Sequence, residues 1–246
     1  MMAMRFKPLA VLLDFLYPRH CLVCTKAGAI VHPDCRNALP FILAPFCAYC
    51  GLPLEKPGAG CTSTLCSGAT EDSVLDGVRS VFRHENGARQ AVLKLKYKGV
   101  SSLSNWLVSE MAGAMQRYYL EKPDAIIPVP LHISHLRKRG YNQAGVLAKG
   151  LSKYLGYSLC ENKLIRTRET RSQVGLDGRG RAANVSGAFS WRGEALKGAS
   201  ILLVDDVCTT GATLNECARV LKHAGANRVW SLTVTREMPS GKLNRF

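Results

Sequence analysis

The sequence has no long apolar run. The longest candidate near its start, Leu9 to Leu16, is eight residues interrupted by Asp14. That is too short for a bilayer span of about 20 residues, and it lacks the small-residue cleavage site of a secretory signal. Internal repeats and low-complexity segments are absent, so a solenoid or a disordered tract is excluded. No GxxxxGK[ST] run occurs, which argues against ATP hydrolysis, and Gly178-Arg179-Gly180 is not a dinucleotide fingerprint because no strand precedes it. Charged residues make up only 21%, with 22 Gly and 11 Pro, a composition that excludes disordered and collagen-like chains. Acidic residues are scarce: 18 Asp and Glu stand against 33 Lys and Arg, a formal net charge of +15 over 246 residues.

The charge that is present is uneven. Residues 1–72 hold 6 basic and 5 acidic side chains, and residues 73–246 hold 27 and 13. The second segment therefore expects anionic partners: phosphorylated metabolites, nucleic acid, or both. Cysteine is uneven in the opposite sense. Seven of the ten (Cys21, Cys24, Cys35, Cys47, Cys50, Cys61, Cys66) lie in the first 66 residues, and Cys160, Cys208 and Cys217 are scattered. Without a secretory signal a reducing cytoplasm is expected, where paired Cys-x-x-Cys means metal more often than disulfide.

Seven Cys and His32 make eight ligands, enough for two tetrahedral zinc sites. In sequence order the sets are Cys21, Cys24, His32 and Cys35, then Cys47, Cys50, Cys61 and Cys66. The two-residue spacers at Cys21/Cys24 and Cys47/Cys50 let one turn present both sulfurs to one ion. The Cys61/Cys66 spacer is wider, and His32 could instead be a solvated loop histidine before Pro33. A closed four-ligand site is structural, and here it would fold a segment poor in apolar residues. A small polar stretch near Ser67 to Asp72 marks the expected boundary, giving a cysteine-rich domain over 1–70 and an α/β domain over 73–246.

Within the second domain, residues 76–84 alternate as a strand closed by Asn86-Gly87, and Leu103, Trp106, Leu107, Met111, Met115 and Tyr118 mark an amphipathic helix over 102–119. The most informative run is Ile201-Leu-Leu-Val-Asp-Asp-Val-Cys-Thr-Thr-Gly-Ala-Thr213. Residues 201–204 read as a parallel strand buried on both faces, with Asp205 and Asp206 at its end. Leu214, Cys217, Ala218, Leu221 and Ala224 then recur at helical spacing up to Gly225, before a strand over 229–234. Thr209, Thr210, Gly211, Ala212 and Thr213 sit at the helix start, where free N–H groups and the helix dipole favour an anion. Adjacent carboxylates cannot hold phosphate, so they serve sugar hydroxyls or Mg2+ held through water. Phosphate, sugar and magnesium together describe a ribose phosphate.

This run resembles the phosphoribosyl-pyrophosphate (PRPP) loop of type I phosphoribosyltransferases. With the cysteine-rich head, Ile126-Ile-Pro-Val-Pro-Leu-His132, Arg137-Lys-Arg-Gly-Tyr-Asn-Gln143, and Thr170 and Gln173 with Arg181 and Asn184, residues 15–237 resemble the ComF family of competence-associated proteins. The resemblance implies a double zinc ribbon followed by a type I phosphoribosyltransferase-like parallel sheet domain. His32 departs from it, since cysteine is the usual family residue there. A basic segment, Arg137, Lys138, Arg139 and Gly140, follows a short strand at 125–129, and the resemblance makes it the pyrophosphate loop; a solvated basic loop is the alternative. Residues 166–181, with five Arg and three Gly, resemble the family's mobile loop that closes over PRPP, and otherwise read as a basic linker.

Two functional classes remain open. One is a phosphoribosyltransferase acting on an unknown acceptor; the other is a non-catalytic PRPP-sensing factor that binds single-stranded DNA. Residues 135–181 hold 11 basic and 3 acidic side chains, more than one PRPP needs. Tyr141, Tyr154 and Tyr157 lie among them, the last two expected in helix packing. After the last strand only 235–246 remain, so a hood over an acceptor is expected from 73–120 or from the zinc module. The resemblance adds natural competence, DNA uptake, a helicase and a membrane-associated uptake complex as expected context and partners.

Overall fold

The computed structural model describes residues 20–61, 63–67, 74–98, 101–118, 120–169 and 178–239. They form two compact units, Met1–Leu39 and Pro40–Phe246. In the smaller unit the chain turns tightly after Cys21, where Thr25 N–H donates to Cys21 O at 3.0 Å and Thr25 takes φ 61°. A one-turn helix, α1 (Pro33–Asn37), starts on a proline whose fixed φ suits the first helical position and carries Cys35.

The larger unit is built on a four-stranded parallel sheet. Its strands are β1 (Gly77–Arg83), β2 (Ala125–Pro128), β5 (Ser200–Cys208) and β6 (Arg228–Arg236), in the order β1-β6-β5-β2. Ile201 to Val204 are all buried, as the unbroken apolar run requires. Helices α2 (Thr64–Ser67), α3 (Asn86–Lys98), α4 (Ser101–Arg117), α5 (Ile133–Arg139), α6 (Gln143–Leu155), α7 (Gly178–Val185) and α8 (Ala212–His223) connect or flank the strands, and β3 (Leu164–Arg166) pairs antiparallel with β4 (Phe189–Trp191). Gly225, at φ 96°, ends the turn after α8.

Three features differ from the sequence-based expectations. Asn86-Gly87 opens α3 instead of a turn, because β1 pairs in parallel with β6 and needs a helical crossover. The basic run 137–139 lies in a helix, closed by His132 at its N-cap and by Gly140 at φ 82°. Tyr154 is 64% exposed instead of packed within its helix.

The four-cysteine segment 47–66 belongs to the larger unit. Cys50, Leu52 and Leu65 are buried in the same cluster as Val78, Cys208 and Leu214, and the compact units divide at Leu39/Pro40. Contact there is close enough to exclude a side chain: a Cβ on Gly51, at φ 70°, would come within 2.5 Å of the Val78 carbonyl oxygen. Among the described residues no helix is long and apolar enough to cross a membrane.

Candidate functional site

The eight predicted metal ligands form two quartets, Cys21/Cys24/His32/Cys35 and Cys47/Cys50/Cys61/Cys66, one in each unit. Within each, the ligand atoms all lie within 4.8 Å of one another. Cys24 Sγ is 3.4 Å from His32 Nδ1, Cys47 Sγ is 3.5 Å from Cys66 Sγ, and Cys50 Sγ is 3.4 Å from Cys61 Sγ. A zinc–thiolate tetrahedron with bonds of about 2.3 Å has edges of about 3.8 Å, so both quartets fit zinc with no open coordination position. His32 directs its other ring nitrogen to Ala27 O at 3.2 Å, the outer contact that orients a ligating imidazole.

A second constellation lies at the carboxyl ends of the parallel strands, where open α/β sheets bind ligands. Asp205, Asp206, Thr209, Gly211 and Thr213 line a cleft of ≈ 390 Å³ together with Arg139, Asn142, Gln143, Arg166, His84, Lys96 and Glu237. Gly211 caps α8 in the left-handed region at φ 82°. A side chain there would be strained, and its Cβ would lie 2.5 Å from Leu65 Cδ1. The Thr210 hydroxyl accepts from Ala212 N–H at 3.4 Å and shapes the turn without facing the cleft.

The two carboxylates are differentiated. Asp205 Oδ1 accepts the Asp206 N–H at 2.8 Å, and Asp206 Oδ2 is 3.3 Å from Lys96 Nζ. Burial, and then the neighbouring Asp206 charge, hold Asp205 well above the usual carboxylate range. A divalent cation in the cleft would oppose that and favour the ionised form of Asp205. On the opposite flank, His84 Nδ1 lies 2.8 Å from Thr235 Oγ1, and burial followed by the nearby Lys96 and Arg89 charges lowers its pKa, keeping the ring neutral.

Of the basic segment, Arg139 lines the cleft, Arg137 and Lys138 are exposed on α5, and Gly140 forms its left-handed cap. Asn142 caps α6 through Ala144 N–H at 3.2 Å and donates to Val129 O at 2.9 Å. Thr170 and Gln173 lie outside the described residues; Arg181 falls within α7, and the Asn184 carbonyl accepts from Arg168 Nη2 at 3.2 Å. Sequence reasoning missed His84, Lys96 and Glu237, and it placed Arg166 at the start of a mobile loop, whereas Arg166 ends β3 and lines the cleft. The available signal was positional: His84 and Glu237 each directly follow a strand of the parallel sheet.

Residues 12–68 match the double zinc ribbon domain family, and residues 106–245 match the phosphoribosyl transferase domain family. The chain is 30% identical over 196 residues to Competence protein F of Haemophilus influenzae, covering 76% of this chain and 84% of that protein. It is 31% identical over 228 residues to DNA utilization protein YhgH of Salmonella typhimurium, covering 89% and 98%. Among solved structures it is similar to the glutamine PRPP amidotransferase from B. subtilis complexed with ADP and GMP, at 18% identity and a TM-score of 0.39 over 58% of this chain and 30% of that one.

Proposed function

The chain belongs to the ComF-type competence proteins, a double zinc ribbon joined to a phosphoribosyl transferase domain, and on that premise we propose that its cleft binds PRPP with Mg2+. One observation carries the reading: two adjacent carboxylates lie near the end of β5, a helix start follows within a few residues, and Arg139, Asn142 and Gln143, from the segment after the neighbouring strand β2, close the same cleft. The 5-phosphate takes backbone N–H groups of the 209–213 turn and the Thr209 and Thr213 hydroxyls. The ribose hydroxyls lie over Asp205 and Asp206. The pyrophosphate extends towards Arg139 and Asn142, with Arg166 beside them.

Asp205 and Asp206 would hold the magnesium, which would supply charge that neutralises the pyrophosphate, and Lys96 Nζ, 3.3 Å from Asp206 Oδ2, holds that carboxylate in place. In transfer, pyrophosphate leaves towards the β2 side and an acceptor approaches ribose C1 from the β6 and β1 side, past Glu237, His84 and Lys96. The protein contributes positioning and charge stabilisation. Calorimetric titration with PRPP in the presence and absence of Mg2+ tests binding. Release of pyrophosphate on incubation with candidate acceptors tests turnover.

A second reading, a PRPP-sensing factor that handles single-stranded DNA without turnover, is favoured by Arg137 and Lys138 on the exposed face of α5, away from the cleft, and by the exposed Tyr154 ring. Fluorescence anisotropy with a labelled oligothymidylate, with and without PRPP, decides it. Salt-sensitive binding combined with absent pyrophosphate release supports this reading over the first.

A further inference from the structure

Two guanidinium groups are buried in the larger unit, and among the described residues neither meets a carboxylate. Arg79, on β1, is 7% exposed, and Arg236, at the end of β6, is 2% exposed. A buried charge is retained only when something compensates it. Both reach the same place. Arg79 donates to Val78 O at 2.8 Å, to Ala48 O at 2.7 Å and to Tyr49 O at 3.4 Å, and the last two residues are the spacer of the Cys47/Cys50 knuckle. The Phe46 and Trp230 rings lie 5.1 and 5.0 Å from its Cζ. Arg236 donates through Nη2 to Ser63 Oγ at 3.2 Å, and the Ser63 N–H bonds the Cys61 sulfur in the other knuckle.

Four thiolates around one Zn2+ carry a net charge of −2, and the two guanidinium groups that reach the knuckle backbone and Ser63 carry +2. The second hand of Arg236 points elsewhere: Nη1 donates to Cys208 Sγ at 2.8 Å. Cys208 is the last residue of β5, directly before the 209–213 turn, and Leu65, from the same knuckle as Ser63, packs under Gly211. One side chain therefore touches the wall of the metal site and the root of the phosphate turn.

We propose that Arg79 and Arg236 are the counter-charges of the Cys47/Cys50/Cys61/Cys66 zinc site, and that Arg236 couples its occupancy to ligand binding in the cleft. Arg236 is thus a positioning residue, and the second zinc is an effector of the cleft as well as a structural ion. The coupling half rests on the PRPP reading above; the counter-charge half does not. Linkage makes the coupling reciprocal: if zinc strengthens PRPP binding by some factor, PRPP must strengthen zinc retention by the same factor.

The test uses the full-length two-zinc protein equilibrated with the chromogenic chelator 4-(2-pyridylazo)resorcinol, with and without Mg-PRPP. One zinc should become harder to extract by at least about fivefold when PRPP is bound, while the other is unchanged. A Cys24→Ser variant, stripped of the first site, should keep the effect. Arg236→Met should loosen the second zinc by at least about fivefold without ligand and abolish PRPP protection. Arg236→Lys, which retains the charge, should restore zinc retention more than Met does, which a packing role would not produce. Protection of neither zinc under conditions where calorimetry shows PRPP bound overturns the coupling. Unchanged retention in Arg236→Met overturns the counter-charge claim. Should Arg236→Met not fold, the polar but uncharged Arg236→Gln carries that arm, and retention no weaker than in the parent overturns it. Absent PRPP binding in the parent overturns the cleft reading, and with it the coupling, and leaves the arginine arm to stand or fall alone.

Discussion

Substituting Gly211 by alanine isolates the contact between the four-cysteine segment and the 209–213 turn. Two costs combine. The residue sits at φ 82°, where a Cβ costs about 1–2 kcal/mol. The three nearest atoms to that Cβ, at 2.5, 2.7 and 2.7 Å, all belong to the Leu65 side chain, and displacing a well-packed leucine adds about 1–3 kcal/mol. Gly211→Ala should therefore destabilise by roughly 2–5 kcal/mol, a large share of a typical folding free energy. Leu65 is 8% exposed, so Leu65→Ala alone should cost a comparable amount, about 2–5 kcal/mol. The informative quantity is the double variant. Without the leucine, only the φ penalty of Gly211→Ala survives, so the pair should be less damaging than the sum by about 1–3 kcal/mol. Urea denaturation in zinc-replete buffer, followed by tryptophan fluorescence for all four proteins, measures it. Effects that add to within about 0.5 kcal/mol would refute the packing of Leu65 beneath the turn.

Metal analysis of the reduced, purified protein should give two zinc per chain, and His32→Ala should retain only the four-cysteine site; a value near zero in the parent would remove both assignments. For pH, Asp205 is raised in the folded state by burial and by Asp206. The sign follows: its protonated form favours folding, and that contribution is lost as pH rises from the unfolded value of about 3.9 through the raised folded one. Asp205→Asn should therefore gain apparent melting temperature over the parent in ligand-free, magnesium-free buffer, and gain more at pH 8 than at about pH 5.5. A gain that shrinks with rising pH would contradict the burial argument.

The strand–turn–helix unit was legible in the sequence because its parts are contiguous: a buried strand, two carboxylates, small and hydroxyl residues and a helix follow one another from 201 to 224. The cysteine quartets were legible for a similar reason, since each is built from ligands close in sequence. What could not be read depends on neighbours set by the sheet order. Lys96 reaches Asp206 because α3 follows β1 and β1 lies two strands from β5 across β6. His84 meets Thr235 from a position 151 residues away. The apparent loop at 137–139 is a helix because His132 and Gly140 cap it, a fact carried by two residues outside the basic run. The partition of the metal module was also hidden, because nothing local in Cys50 or Leu65 reveals that they join Val78, Cys208 and Leu214 in one core.

The central claim is a Mg2+-dependent PRPP site on Asp205 and Asp206. Calorimetry with PRPP on the parent and on the Asp205→Asn/Asp206→Asn variant, both verified as folded and carrying two zinc, tests it most directly. The parent should bind PRPP saturably in Mg2+ and weakly without it, and the variant should not bind it. Unchanged binding by the variant, or no binding by the parent, would contradict it.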